Sequence, residues 1–375
     1  MPDPRKARGK RYSCQLLLTI IVAGLASTYQ TARAIAQWAH LQAEVVRSAL
    51  PDLKCIPSES TLLRVLRQID AGVLEQKLAQ FVACMPTSTP YAGCIITPQG
   101  EILQAQALDG KAVRTATAHG DRTHLVSVVH HASAQTVNQT ERPTKRSEVV
   151  ASQQLLTGHD LSGTITTMDA GLTQRSLAQQ IRQQNGHYLM VVKKNHPQMY
   201  AEVALFFEQP GVLADAAHDD RCRTVSNGHG RLETRTVECL SASCDDWHWP
   251  DAAQILRRTC ERVDCKSGKR TLKISYALTS LTFEEARAME LERLWRGHWT
   301  IENRKHYVRD VTMGEDRHQM HRGQAPQVLA ARRNALIDVW RSYGWSNSAD
   351  ALRHTAAAVQ RAVALIGALP TATLT

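Results

Sequence analysis

The sequence predicts an α/β protein with a mixed sheet and flanking helices, joined to an N-terminal helical domain and interrupted by a β-rich insertion. Three observations predict this class. Apolar residues recur at helical spacing before residue 85, and short β-branched runs alternate with helical patterns between residues 101 and 207. Several β segments separated by polar turns then precede a helical end. A chain of 375 residues is long enough for two or three such units.

The first 85 residues form the predicted helical domain. Apolar residues fall on helical faces in 16–26, 32–38 and 62–66. The last of these segments carries Arg64 and Arg67, so a DNA-reading helix-turn-helix and a plain helical docking domain both remain open. Three prolines and two glycines lie in the next fifteen residues, which we predict to be a linker over 86–100.

A mixed α/β core is predicted from two separate stretches, 101–207 and 282–345. Three strands in a meander come first, and two more strands follow helices in crossover order. The predicted strands are 102–108, 123–130, 135–140, 164–168 and 188–192, and the helices between them are 147–156 and 173–185.

The β-rich insertion is predicted over 208–281 and separates the two stretches of the core. Its β segments are 223–225, 233–239, 254–261 and 271–278. The chain then becomes helical, with predicted helices at 283–310, 326–343 and 348–369. Residues 346–375 are therefore predicted to be a C-terminal helix and tail.

The charge balance favours a polyanionic partner. Lysine and arginine total 45 against 35 acidic residues, a net charge of +10. Such an excess is typical of nucleic-acid-binding proteins, although a basic soluble enzyme is an alternative.

The apolar run 16–26 is shorter than the roughly 20 residues of a membrane span, so we expect no membrane partner. Nine cysteines without a tight framework indicate a reduced, cytoplasmic protein.

Two aspartates come directly after predicted strands. Asp109 follows the strand 102–108, and Asp169 follows the strand 164–168. Ligands of open α/β sheets bind at the carboxyl ends of strands, and paired carboxylates suit Mg²⁺ or Mn²⁺. The alternative for each aspartate alone is an ordinary turn residue.

A third carboxylate lies on the predicted helix 283–310. Helical spacing places His298, Glu302, His306 and Arg309 on one face. This order is not the His-Glu-x-x-His motif of zinc enzymes, so we do not predict zinc there. The alternative is an ordinary ladder of charges on a solvated helix face.

These residues lie in segments that resemble bacterial insertion-sequence DDE transposases, more narrowly the H-repeat-associated type. RGHWTIEN at 296–303 and DVTMGED at 310–316 resemble the third-carboxylate signature of that family. LDGKAVR at 108–114 resembles its first-aspartate motif, and MDAGLTQ at 168–174 resembles the second. Further matches are YLMVVKKN at 188–195, GHGRLETR at 228–235 and PSESTLLR at 57–64. The ordered set covers essentially the whole chain.

The resemblance implies a ribonuclease-H-like core in which Asp109, Asp169 and Glu302 form a metal-binding triad for two Mg²⁺ or Mn²⁺ ions. It implies cleavage of DNA at the ends of a mobile element, and joining of those ends to target DNA. The partners would be the terminal inverted repeats and target DNA, and we expect a homodimer on DNA, associated with the nucleoid. The open alternatives are a silent DNA-binding relic and a nuclease that never joins strands.

Cationic and hydrogen-bonding side chains lie beside the three carboxylates, either in sequence or on the same helix face. We expect them to orient DNA phosphates, and structural salt bridges are the alternative. These residues are Lys111, Arg114, Lys193, His298 and Arg309. A run of basic residues in the insertion, from Arg257 to Lys273, also favours DNA contact.

Overall fold

The computed structural model describes residues 3–5, 11–85, 93–116, 122–142, 148–208, 220–228, 230–242, 249–318 and 320–367. Within this part of the chain the structure confirms the predicted class, a mixed α/β fold with a large mixed sheet and an N-terminal helical region. No helix in the described ranges has both the length and the apolar character needed to cross a membrane.

The N-terminal region is helical, as predicted. Its first helix is apolar on every side and almost entirely buried, because neighbouring helices surround it. The Ser13 hydroxyl caps this helix by accepting a hydrogen bond from the backbone N–H of Leu16. The five helices are α1 (Cys14–Ala26), α2 (Ala32–Leu41), α3 (Ala43–Ala49), α4 (Glu59–Gln68) and α5 (Ala71–Ala83).

The N-terminal helices do not have a hydrophobic core of their own. Their apolar side chains pack together with those of three C-terminal helices, α11 (Ala325–Ser342), α12 (Ser348–Ala356) and α13 (Val359–Gly367). The single helix predicted at 348–369 is thus two helices, and residues 368–375 of the predicted tail lie outside the described ranges. The two ends of the chain therefore form one packing unit.

One continuous sheet contains every strand described. Its order is β4-β3-β2-β5-β6-β10-β9-β8-β7, and β1 pairs with β2 beside this path. The pairs β2–β5 and β5–β6 are parallel and the others are antiparallel. The core strands are β1 (Cys94–Ile96), β2 (Ile102–Ala116), β3 (Arg122–His130), β4 (Thr136–Arg142), β5 (Thr164–Met168) and β6 (His187–Val192).

Three helices accompany these strands: α6 (Glu148–Leu156), α7 (Arg175–Gln183) and α8 (Pro197–Glu208). The first two carry the chain between strands, as predicted for the crossover order. The predicted linker 86–100 needs correction, since it contains β1, whose three residues pair with β2; residues 86–92 lie outside the described ranges.

The predicted insertion supplies four antiparallel strands: β7 (Asp220–Gly228), β8 (Arg231–Ser241), β9 (Gln254–Asp264) and β10 (Arg270–Thr279). They do not form a separate sheet. The end of β10 pairs with β6 from Tyr276↔Val192 to Thr279↔Leu189, so the insertion extends the core sheet.

The helical region after the insertion packs on the core strands. It consists of α9 (Ala288–Gly297), α10 (Trp299–Ile301) and two π-helical segments, Glu302–His306 and Val308–Thr312. Leu291 and Trp295 of α9 share a core with side chains of the central strands. Ile301 packs on Ala107 of β2 and Val129 of β3. This packing places Glu302 directly above the strand that carries Asp109.

Candidate metal centre

Asp109 lies inside a long strand rather than at the end of a short one. The parallel pairing of β2 with β5 stops at Leu108↔Met168, but the antiparallel pairing with β3 continues through Asp109↔Ser127. The predicted strand end at residue 108 is therefore wrong, because the β3 partner keeps the Asp-Gly-Lys segment extended. Asp109 stands one position beyond the point where its parallel neighbour β5 ends.

Asp169 follows β5 directly and precedes a 3₁₀ turn, Ala170–Leu172. Because Leu108 and Met168 are paired, Asp109 and Asp169 occupy equivalent positions on adjacent parallel strands. The Lys193 ammonium, which comes just after β6, donates to both Asp169 carboxylate oxygens at 2.7 and 2.8 Å. Burial alone would raise the pKa of Asp169, but the Lys193 ammonium and the Ala170 N–H lower it below its usual value.

Glu302 and His306 lie one turn apart at the start of the π-helical region. The His306 Nδ1 is 3.4 Å from Oε2 of Glu302 and 3.8 Å from Oδ2 of Asp109. One ligand atom from each of these three residues lies within 4.8 Å of the others. The structure thus brings the predicted first and third carboxylates together, and adds a buried imidazole between them.

The two carboxylates of this group have opposite electrostatic surroundings. Burial, followed by the negative charge of Glu302, raises the pKa of Asp109 well above its usual value. Glu302 is nearly half exposed, and its contact with His306 lowers its pKa to about 2 in spite of partial burial. The repulsion between the two carboxylates therefore acts mainly on Asp109.

The predicted phosphate-orienting residues have different surroundings. Lys111 is largely buried and pairs with Asp310 at 2.5 Å. Arg114 lies on β2, but its side chain is outside the described part of the structure. Lys193 is half exposed beside Asp169, so it combines exposure with a place at the site.

His298 belongs to a buried hydrogen-bonded chain. The Thr167 hydroxyl lies 3.1 Å from Nδ1 of His298 and 2.9 Å from Nε2 of His131. Burial lowers the pKa of His298 to about 4. His298 therefore positions α10 against β5, two residues before Asp169, and we withdraw it from the expected DNA contacts.

Arg309 also needs correction, since it faces the core. It is 1% exposed and its guanidinium donates three hydrogen bonds to the carboxylate of Glu315, which is fully buried. A π-helix turns by about 80° per residue rather than about 100°. Arg309 therefore lies about 160° from Glu302 instead of about 20°, and the π-helical winding moves it from the predicted face into a structural ion pair.

A close helix approach at Gly297 was not found by sequence reasoning. A Cβ atom on Gly297 would lie 2.2 Å from Nδ1 of His131, so any other residue would push α9 away from the turn after β3. The glycine in the Arg-Gly-His segment of the quoted motif was the available sequence signal for this close approach. The signal could be interpreted only once the position of His131 was known.

The basic run of the insertion is partly neutralised within the protein. Arg257, Arg262 and Arg270 each pair with a glutamate on a neighbouring strand. Arg258 lies over the Trp295 ring, with its guanidinium 4.1 Å from the ring centre. The exposed lysines of the run are Lys266, Lys269 and Lys273. DNA contact by this surface stays a prediction.

A ribonuclease-H-like sheet, with one aspartate on a central strand, another just after the adjacent parallel strand and a glutamate on a helix packed against them, is typical of DDE nucleic-acid enzymes. Comparison with known families agrees. Residues 102–337, more than half of the chain, match the family described as "Transposase DDE domain", and residues 1–82 match the family described as "DDE_Tnp_1-associated". The chain belongs to the DDE transposase family.

Individual relatives support the same assignment. The chain is 24% identical over 353 residues to "Putative transposase YncI" of Escherichia coli O157:H7, which covers 91% of this chain and 85% of that protein. It is 30% identical over 241 residues to "Uncharacterized protein in dhlA 3'region" of Xanthobacter autotrophicus, covering 63% of this chain and 77% of that protein.

A third relative is "H repeat-associated putative transposase YhhI" of Escherichia coli K12. It is 26% identical over 249 residues, covering 62% of this chain and 63% of that protein. The resemblance inferred from the motifs, including the narrower H-repeat-associated type, is thereby confirmed.

Proposed function

We propose that this chain cleaves DNA at the ends of an insertion element and joins those ends to target DNA, with Asp109, Asp169 and Glu302 as the metal-binding carboxylates. The observation that supports this most directly is the approach of Glu302 to Asp109. These side chains are almost 200 residues apart in sequence and come from a helix and a strand. The helix packs on the sheet through Ile301, next to Glu302. The fold thus brings two acidic side chains together against their mutual repulsion.

The donor set fits a divalent cation. Asp109 and Glu302 offer carboxylate oxygens, the ligands that Mg²⁺ and Mn²⁺ prefer, and their repulsion would be relieved by a bound positive charge. When bound, such ions polarise the scissile phosphate and make an attacking hydroxyl more acidic. Asp169 on the adjacent strand would complete the set.

The remaining residues hold this arrangement and receive the DNA. His298 and Thr167 fix the helix against β5, and the Lys111–Asp310 pair ties the following π-helical segment to β2. Lys193 is exposed beside Asp169, where a DNA phosphate would compete for its ammonium. Lys266, Lys269 and Lys273 would contact the DNA backbone without reading sequence.

The test is a cleavage and strand-transfer assay on DNA carrying the element's own ends, with Mg²⁺ or Mn²⁺. We expect Asp109→Asn and Glu302→Gln each to lower both activities by at least about 10³-fold, because each removes a charged metal ligand. DNA binding and the thermal unfolding temperature should change little.

The matched control is Glu284→Gln, an exposed glutamate just before α9, which should keep full activity. Glu292 on α9 itself is unsuitable, because it is buried near Arg258. Cleavage without any joining in the wild type would favour a nuclease. DNA binding with neither reaction would favour a silent relic.

A further inference from the structure

His306 occupies a position in the metal centre that the three-carboxylate scheme does not explain. Its side chain is 5% exposed, and its Nδ1 faces both Glu302 and Asp109. Its other ring nitrogen, Nε2, is buried without a hydrogen-bond partner in the described part of the chain. Among the described residues, the polar contacts of the imidazole are therefore those of Nδ1, and both are with carboxylates that we take as metal ligands.

The separations suit ligands of one ion. Two atoms that bind the same ion at about 2.1 Å lie roughly 3.0–3.5 Å apart, depending on the coordination geometry. The distances of 3.4 and 3.8 Å from Nδ1 to the two carboxylate oxygens are close to that range. The ligand atoms of all three residues lie within 4.8 Å of one another, so they would have to draw closer together to share a single cation.

Asp169 is separate from this group. No oxygen of its carboxylate lies within 4.8 Å of all three members, and both of its oxygens accept hydrogen bonds from Lys193. In the DNA-free protein, Asp169 is thus neutralised by a lysine, while Asp109 and Glu302 face an imidazole. The three carboxylates of the expected triad thus have different partners in the absence of DNA.

We propose that Asp109, Glu302 and Nδ1 of His306 bind the first divalent ion before DNA arrives, and that Asp169 becomes a ligand only when a DNA phosphate draws Lys193 away. This inference rests on the proposed function, because it takes Asp109 and Glu302 as ligands. A nitrogen ligand strengthens binding of Mn²⁺ relative to Mg²⁺, since imidazole suits transition metals better than Mg²⁺.

Pulsed electron paramagnetic resonance of Mn²⁺ tests the ligand directly in the full-length, DNA-free protein. With histidine labelled by ¹⁵N, we expect hyperfine coupling from one nitrogen in the wild type and in Asp169→Asn. His306→Phe should remove the coupling and weaken Mn²⁺ binding, measured by calorimetry, by at least about tenfold. His306→Asn, which places an amide near the Nδ1 position, should recover part of the affinity without the coupling.

The control is His159→Phe, which alters an exposed histidine and should leave both coupling and affinity unchanged. Unfolding curves in a chelator show whether each variant folds, and the labelled wild type gives an answer even if His306→Phe does not. Mn²⁺ binding that depends on Asp109 and Glu302 but shows no nitrogen coupling would overturn this proposal and leave the proposed function standing. Binding unaffected by Asp109→Asn and Glu302→Gln would overturn both.

Discussion

Two clusters of charged side chains each include residues of the π-helical region, and they differ in how their carboxylates are balanced by positive charge. In the candidate metal centre, Asp109 and Glu302 lie beside His306, whose pKa is lowered by burial, and among the described residues neither carboxylate forms a salt bridge with a lysine or arginine. In the core, the Arg309 and Arg333 guanidinium groups both contact Glu315, and all three side chains are buried. In the core cluster two guanidinium groups contact the carboxylate directly, whereas in the candidate metal centre the charge of Lys111 acts on Glu302 while Lys111 pairs with Asp310.

The difference separates the proposed metal-binding site from a structural support. Arg309 and Arg333 lower the pKa of Glu315 to about 2, although burial would raise it. The pKa of Asp109 moves in the opposite direction. A carboxylate that the protein leaves uncompensated is one that an external cation can stabilise, whereas a fully paired carboxylate holds elements together. Here the ion pair between Arg333 and Glu315 joins α11 to the turn after the π-helical segment.

The largest effect on the free energy of unfolding should come from the cluster in which Arg309 and Arg333 balance Glu315. Glu315→Gln would leave two buried guanidinium groups without their carboxylate, and should lower the free energy of unfolding by about 3–5 kcal/mol. Chemical denaturation at pH 7 measures this. Asp350→Asn, which breaks an exposed pair with Arg353, is the control and should cost less than about 1 kcal/mol. Equal effects of the two variants would remove the distinction between the clusters.

The contribution of Glu315 also depends on pH. Its folded-state pKa is below its unfolded value of about 4.3, so the stabilisation is fully present above that value and is lost as the pH falls towards about 2. The gap in stability between wild type and Glu315→Gln should therefore narrow on acidification. A gap that widens in acid would contradict the paired, ionised state of Glu315.

An intermediate effect is expected where the helical region meets the sheet, at Gly297. Gly297→Ala would place a methyl group against the His131 ring, at a cost of about 1–3 kcal/mol, and would push Glu302 away from Asp109. The rate of DNA strand cleavage should therefore fall by more than the loss of folded protein can explain. Gly72→Ala in α5 is the matched control, since its new methyl group would only reach ordinary contact with Asp70 and helix propensity favours alanine.

The sequence predicts nine of the ten described strands at least in part, and most helices, because short β-branched runs and helical apolar spacing are local signals; β1 and α8 were missed. It also predicts the residue types of the site. The π-helical winding was not predictable from periodicity, so Arg309 was placed on the wrong face and Glu315 was overlooked. The continuation of β2 past Asp109 depends on β3, a tertiary partner. The contact of Lys193 with Asp169 likewise depends on how β6 lies beside β5.

The smallest effect on the free energy of unfolding should come from the candidate metal centre without metal, and it should be an increase rather than a loss. In a chelator, Asp109→Asn removes a carboxyl group whose ionisation is opposed by burial and by Glu302, and should raise the free energy of unfolding by roughly 1 kcal/mol at pH 8. Because the folded-state pKa of Asp109 is above its unfolded value, the wild type loses stability as the pH rises from about 4 through the folded pKa, and the variant does not. The gain in stability should thus vanish near pH 4.

Glu302→Gln removes one charge from the same cluster but also its contact with His306, so it should give no gain in stability. Destabilisation by Asp109→Asn at pH 8, or an equal gain from Glu302→Gln, would show that the metal-free site is balanced and that the contrast with the Glu315 cluster is wrong.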